Sequence, residues 1–455
     1  MTTERELARF AVTLAPEAVP APTRQILSQM MLAVAGTAIA GAEEDGVGAL
    51  RALLLEAGGT AQATTLVFGD RLPASAAAQL NGTMCRALDY CDAMAPGPHI
   101  GSALVPAALA AAELADGCSG AEFVTALAAG AEISSRLNLR EDQYDGFDPT
   151  GLPVVFGATA AAARLLKLDQ TQTHHALALA FNRCGGSFQS HVDGSLGVRF
   201  VQGWVAQAGV QCAQLARRGV TGPTNFLNGH YGYGHLYGRD TMDMSAVTAD
   251  LGREWRLHRM VFKKYPSCGV TQGVTELTLA MLADGLTADK VASVEVRLPP
   301  YAHRLVGNRF EPKHNPRVDA QFSAAYCVAN ALVRKTSTLI NFSPCQVCEP
   351  DLLAMVERIN VVADPAMDAR GHASVDLTVT RTDKTVLHRG LDTPPGFPGA
   401  ELTTAQHLAR FEDCLAYAAH PIDPSQTGSL LRALDTMEQL HDIRLLIPLL
   451  VSKTI

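Results

Sequence analysis

Long apolar runs are missing from this chain. No stretch of about 18 apolar residues occurs, the length needed to cross the hydrocarbon of a bilayer, so a membrane-spanning helix is not expected. A basic stripe is missing too. Lys and Arg total 37 against 45 Asp and Glu, a net charge of -8, which argues against a nucleic-acid surface. Thr2 to Arg9 mixes charges of both signs and no long apolar core follows, so no secretory signal is read there. There is no Gly-x-Gly-x-x-Gly after a strand, no P-loop and no Gly-x-Ser-x-Gly nucleophile turn, which removes the commonest sequence grounds for nucleotide binding or serine hydrolysis. Internal repeats and low-complexity segments are absent as well. The 10 cysteines are scattered and read as reduced thiols in a cytoplasmic protein. Cys345-Gln-Val-Cys348 lacks the second thiol pair that zinc would need, so no metal is expected. His174 and His175 sit at adjacent helical positions that do not share a face, so they read as one exposed and one partly buried side chain.

What is present is alanine and helical periodicity. At 455 residues the chain is long for one core and two domains are expected. With 47% apolar and 18% charged residues, much of it should be helical. Helical spacing covers about 23–41, 48–57, 73–92, 103–115, 120–138, 154–166, 170–181 and 203–218. A short helix is expected at 251–260. After Lys263-Lys-Tyr-Pro-Ser-Cys268 the texture changes. A helix at 270–283 precedes a period-two strand at 293–298. Further elements are a helix at 323–333 carrying Tyr326, an extended piece at 359–363, and a hairpin around Arg381–Lys384. Helices return at 402–417 and 427–440. The expectation is a mainly α chain: a large all-helical domain built from both chain ends (1–263 and 401–455), with a smaller inserted α/β lid at 264–400.

The stretch from Ala87 to Ser102 looks chemically useful. Pro96, Gly97 and Pro98 interrupt the helical pattern, which sets His99 on a loop ahead of a new helix with Ser102 as N-cap. Asp89 and Asp92, three apart, would share a helix face. A carboxylate near a histidine, beside free backbone N–H groups, is a workable acid–base site.

Several segments in order are similar to the MmgE/PrpD family, which includes 2-methylcitrate dehydratase, cis-aconitate decarboxylase and iminodisuccinate epimerase. They are Asp89-Tyr-Cys-Asp92 with His99, Phe147-Asp-Pro-Thr-Gly, Gln202 to Val210 with Gly222-Pro223, and Lys263-Lys-Tyr-Pro-Ser-Cys268. The resemblance implies a homodimer without cofactor acting on a small-molecule carboxylate. It implies His99, Asp89, Lys263 and Tyr326 as catalytic groups: His99 moves the proton, Asp89 orients it, Lys263 binds the carboxylate, and Tyr326 is a second acid or orienting donor. It implies Arg199, Asp148, Gln202, Lys264 and Cys268 as substrate-binding groups. The chain departs from the family pattern at Ala93 (often Thr), Asp148 (usually His), Val198 (usually Lys, with Arg199 adjacent) and Cys268 (His in decarboxylases). Those changes point toward a substrate with fewer carboxylates, or with an amine. Three classes stay open: a dehydratase or decarboxylase, a two-base epimerase using His99 with Tyr326 or Asp148, and a non-catalytic ligand-binding relative.

Overall fold

The computed structural model describes residues 2–95, 97–313 and 315–453; Pro96, one of the three residues of the expected loop break, lies outside the described residues. Helix accounts for 57% of the chain and strand for 9%, so it is mainly α with a small α/β region. No described helix is long and apolar enough to cross a membrane. The chain forms two compact units. One comprises Met1–Ser190, Leu196–Met260 and Cys414–Ile455; the other comprises His191–Ser195 and Val261–Asp413.

The first unit is helical. It contains α1 (Thr3–Thr13), α2 (Ala21–Gly41), α3 (Val47–Ala57), α4 (Ala74–Arg86), α5 (Gly101–Leu114), α6 (Gly120–Arg136), α7 (Pro153–Leu165), α8 (Gln170–Phe181) and α9 (Val201–Arg217). Every residue of α7 is buried, as is α5 from Gly101 to Ala112. Alanine and glycine make that possible, because small side chains let helix backbones approach. A Cβ on Gly157 would lie 2.2 Å from the Gly130 carbonyl oxygen, so α6 and α7 cross in direct contact there. A Cβ on Gly203 would lie 2.5 Å from the Gln79 carbonyl oxygen, which brings the first turn of α9 onto α4.

The second unit is built on a four-stranded sheet of β1 (Val291–Leu298), β2 (Ile359–Ala363), β3 (Val375–Arg381) and β4 (Val386–Leu391), in the order β2-β1-β3-β4. β1 and β2 are parallel, with Val294 opposite Ile359; the other pairs are antiparallel. Val294, Val296, Leu377 and Val379 alternate inward and form one core with the helices Gln272–Ala283 and Ala324–Arg334.

Three expectations change. The helix read at 73–92 ends at Arg86, so Asp89 and Asp92 share no helix face. The stretch read as a helix at 251–260 instead forms a 3-10 turn, Arg256–Arg259, running into the short strand Met260–Phe262. Ser102 is not an N-cap: α5 starts at Gly101 and its first amides are held from elsewhere.

Candidate active site

α4 stops because the chain reverses. Asp89 has a φ of +50°, a left-handed conformation that Asp tolerates better than most residues. The turn sends Asp92 into a short strand, Asp92–Met94. One oxygen of the buried Asp92 carboxylate accepts from Ile100 N (3.0 Å) and Gly101 N (2.9 Å), which satisfies the start of α5. Asp92 is therefore a helix anchor, and of the two carboxylates it is Asp89 that faces the histidine.

His99 lies between these two features. Its Nδ1 is 2.7 Å from the Asp92 carbonyl oxygen. A carbonyl oxygen only accepts, so Nδ1 carries the hydrogen and Nε2 is the nitrogen that gains or loses a proton. Nε2 lies 3.8 Å from Asp89 Oδ1, beyond hydrogen-bond length. Asp89 thus stands beside Nε2 without a hydrogen bond to it, and the Asp92 carbonyl holds Nδ1. Cys91 Sγ lies 3.5 Å from Nδ1.

Arg86, on the last turn of α4, donates to Asp89 Oδ1 at 2.5 Å; both side chains are almost wholly buried. The Arg86 charge also reaches Asp148. Burial pushes the Asp148 carboxyl above its usual range, and the Thr150 and Gly151 amides and Arg86 pull it back in part. Asp148 Oδ1 accepts from Thr150 N (2.8 Å) and Gly151 N (3.3 Å). The Thr150 hydroxyl oxygen accepts from His99 N at 2.9 Å and from Gln202 Nε2 at 3.3 Å. Asp89, His99, Asp148 and Gln202 are thus one connected cluster, with Arg86 and Thr150 as its links. Sequence reasoning missed both links. The signals that could have found them are the i, i+3 spacing of Arg86 to Asp89 and the polar Thr150 just ahead of the buried helix α7.

Arg199 is placed differently. Its Nη1 donates to the Asp45 carbonyl oxygen at 2.8 Å and its Nη2 lies 3.3 Å from Glu44 Oε2. These contacts tie the entry to α9 to the turn after α2; the cation bound to Asp89 is Arg86.

In the second unit, Lys263 is buried directly after the strand Met260–Phe262. Its loop is held rigidly. Gln272 accepts from Tyr265 N (2.9 Å) and donates to the Tyr265 carbonyl oxygen (3.0 Å), while Gln321 Nε2 donates to the Pro266 carbonyl oxygen (3.0 Å). Lys264 is ion-paired with Glu276 at 2.7 Å, which commits it to the helix Gln272–Ala283. Cys268 N donates to the Gln321 carbonyl oxygen at 3.0 Å and its side chain is half-buried. Tyr326 is completely buried in the core of this unit, between Phe310 and Phe342. Its hydroxyl donates to the Asn341 carbonyl oxygen at 2.5 Å and accepts from Arg334 at 3.3 Å, and burial pushes its pKa well above the usual phenol value. Both hydrogen bonds of the Tyr326 hydroxyl thus lie within this core. Likewise His174 is buried on α8 and His175 half-buried, so neither is exposed. Cys345 and Cys348 are exposed free thiols, and among the described residues no group of three or more His, Cys, Asp or Glu is placed to hold a metal ion.

Residues 5–244 match the MmgE/PrpD N-terminal domain and residues 265–430 the MmgE/PrpD C-terminal domain. Among curated relatives, cis-aconitate decarboxylase of Homo sapiens is 24% identical over 396 residues, covering 84% of this chain and 80% of that protein. The Mus musculus cis-aconitate decarboxylase is 23% identical over 405 residues, covering 85% and 80%. A cis-aconitate decarboxylase-like protein of Aspergillus oryzae is 26% identical over 365 residues, covering 72% and 73%.

Proposed function

The chain belongs to the MmgE/PrpD family, and from that premise we propose that it is a carbon–oxygen or carbon–carbon lyase that works by proton transfer at a carbon next to a carboxylate, without a cofactor. The observation that carries the reading is the His99 imidazole. Nδ1 lies 2.7 Å from the Asp92 carbonyl oxygen, and Nε2, with a carboxylate 3.8 Å away, is the atom to which the reading assigns proton transfer. The names of the three relatives support the lyase class.

In a dehydration, neutral Nε2 takes the proton from the carbon next to the substrate carboxylate. The electron pair passes into that carboxylate as an enediolate, then returns to form the double bond and expel the β-oxygen, which leaves as water once protonated. In a decarboxylation, the breaking C–C bond leaves its electrons on the substrate, delocalised into a remaining carboxylate. Carbon dioxide departs and Nε2–H of the charged imidazole protonates the carbon. The Asp89 carboxylate, 3.8 Å from Nε2, attracts the charge that Nε2 carries once it holds the proton, and Arg86 is the cation paired with Asp89. Lys263 remains the proposed carboxylate binder on the resemblance, and a homodimer belongs to the same proposal.

The isomerase reading needs a second acid–base group. The Tyr326 hydroxyl is held in a core and Asp148 Oδ1 is held by two amides, which favours the lyase. The test is a mass-spectrometric screen in deuterated water over cis-aconitate, citrate, 2-methylcitrate, iminodisuccinate and smaller hydroxy- and amino-dicarboxylates. Loss of carbon dioxide or water supports the lyase. Deuterium uptake at a retained carbon skeleton, with no loss, replaces it with an isomerase.

A further inference from the structure

Resting on the reading of His99 as the proton-transfer group, we propose that the Thr150 hydroxyl, secured by Gln202, is a positioning residue that sets the His99 ring for reaction. His99 belongs to no helix or strand; it lies in the connection between the strand Asp92–Met94 and α5. Its place is therefore decided by individual hydrogen bonds. The Asp92 carbonyl holds the ring at Nδ1, and the Thr150 hydroxyl oxygen holds the backbone N–H at 2.9 Å. The first bond sets which way the ring faces; the second sets where the residue sits.

Thr150 is itself tied on two sides. Its amide donates to Asp148 Oδ1 at 2.8 Å, which orders the turn ahead of α7, and its hydroxyl accepts from Gln202 Nε2 at 3.3 Å. Thr150 and Gln202 are both fully buried. Gln202 comes from the first turn of α9, which the contact at Gly203 seats on α4, the helix that carries Arg86. The Thr150 hydroxyl thus couples His99 to α9 and, through the contact at Gly203, to α4, whose last turn carries Arg86, the partner of Asp89. Asp148 gains a role by the same route, since its carboxylate aligns Thr150 and acts on His99 through it.

Removing the hydroxyl while keeping the volume leaves the His99 N–H buried without its acceptor, and the connection shifts to rescue it. A displacement of about 1 Å at a reacting group costs about a hundredfold. Thr150→Val is accordingly expected to lower kcat by about 10- to 100-fold with KM changed by less than about threefold, whereas Thr150→Ser stays within about threefold of the unaltered protein. Gln202→Met serves as a second variant, with a smaller loss in the same direction. The full chain labelled with ¹⁵N-histidine supplies a readout that needs no substrate. The His99 signals, identified by their loss in His99→Gln, report an Nδ1-protonated ring in the unaltered protein and a mixture of tautomers in Thr150→Val. Turnover of Thr150→Val within twofold of the unaltered protein overturns the proposal, as does an equal loss in Thr150→Val and Thr150→Ser. If no carboxylate of the panel is turned over, the lyase reading fails and the tautomer alone decides: an unchanged tautomer in Thr150→Val overturns the role of Thr150.

Discussion

Replacing Arg86 with methionine removes the cation from a pair that is buried on both sides. The Nη1–Oδ1 separation is 2.5 Å and the two side chains are 3% and 4% exposed. At an effective dielectric of about 20, charges that close attract by about 7 kcal/mol before desolvation is counted. Measured losses on removing one partner of a buried pair are smaller, about 3–5 kcal/mol, because the orphaned group relaxes or takes a proton. Methionine fills most of the arginine stem, so no large cavity adds to this. The expected loss is therefore about 3–5 kcal/mol, or a fall in Tm of about 5–15 °C. The pH dependence identifies the cause. In the variant both Asp89 and Asp148 lose a counter-charge, and burial already pushes the Asp148 carboxyl up. An ionised buried carboxylate without its counter-charge is penalised most at pH 8, and protonation of Asp148, already pushed up by burial, relieves the penalty on acidification, so the Tm deficit narrows toward pH 5. Arg86→Met with Asp89→Asn should recover much of the loss, which a double-mutant cycle by thermal melts measures. A deficit that is the same at both pH values, or no recovery in the double variant, refutes the ion-pair reasoning.

Other outcomes follow from the same geometry. Tyr326→Phe removes a hydroxyl that donates inside a core, so it should cost about 1–2 kcal/mol by denaturant unfolding and leave turnover within about threefold; a loss of several orders of magnitude would restore a catalytic role. Burial raises the Asp413 carboxyl from 3.8 to about 6. The stability contributed by its protonated form is complete below about pH 4 and lost as pH rises through 6, so Asp413→Asn should raise Tm at pH 8 and not at pH 4. Burial beside the Arg410 charge lowers His407 from 6.5 to about 4. Its contribution is present above pH 6.5 and lost as pH falls through 4, so His407→Gln should flatten the acid side of the Tm profile. Lys263→Ala should raise KM for a carboxylate substrate at least tenfold in steady-state kinetics if Lys263 binds that group.

The helices were the most legible part of the sequence, for a physical reason. α8 carries its own boundary: Asp169 and Gln172 form a capping box and the helix runs Gln170–Phe181, the expected span. The strand at Val291–Leu298 likewise shows its period, buried at Val294, Val296 and Leu298. What local pattern does not reveal is where a helix yields to tertiary geometry. Residues 87–92 open with the helix formers Ala87 and Leu88, yet α4 ends at Arg86, Asp89 turns the chain and Asp92 holds α5. The candidate site was legible where a residue's type announces its chemistry, as with His99 and Asp89. It was not where the chemistry comes from backbone or from a modest hydroxyl: the Asp92 carbonyl and Thr150 are identifiable only once chain segments far apart in sequence have met. Tyr326 and Arg199 are chemically able side chains whose hydrogen bonds commit them to the framework.

The most direct test of His99 as the proton-transfer group is the turnover of His99→Gln against the unaltered protein, with cis-aconitate and the other carboxylates of the panel, followed by mass spectrometry. The unaltered protein is expected to release carbon dioxide or water from at least one substrate. In His99→Gln the rate should fall by about two to four orders of magnitude with Tm little changed. Undiminished turnover in that variant would contradict the assignment and move the chemistry away from His99.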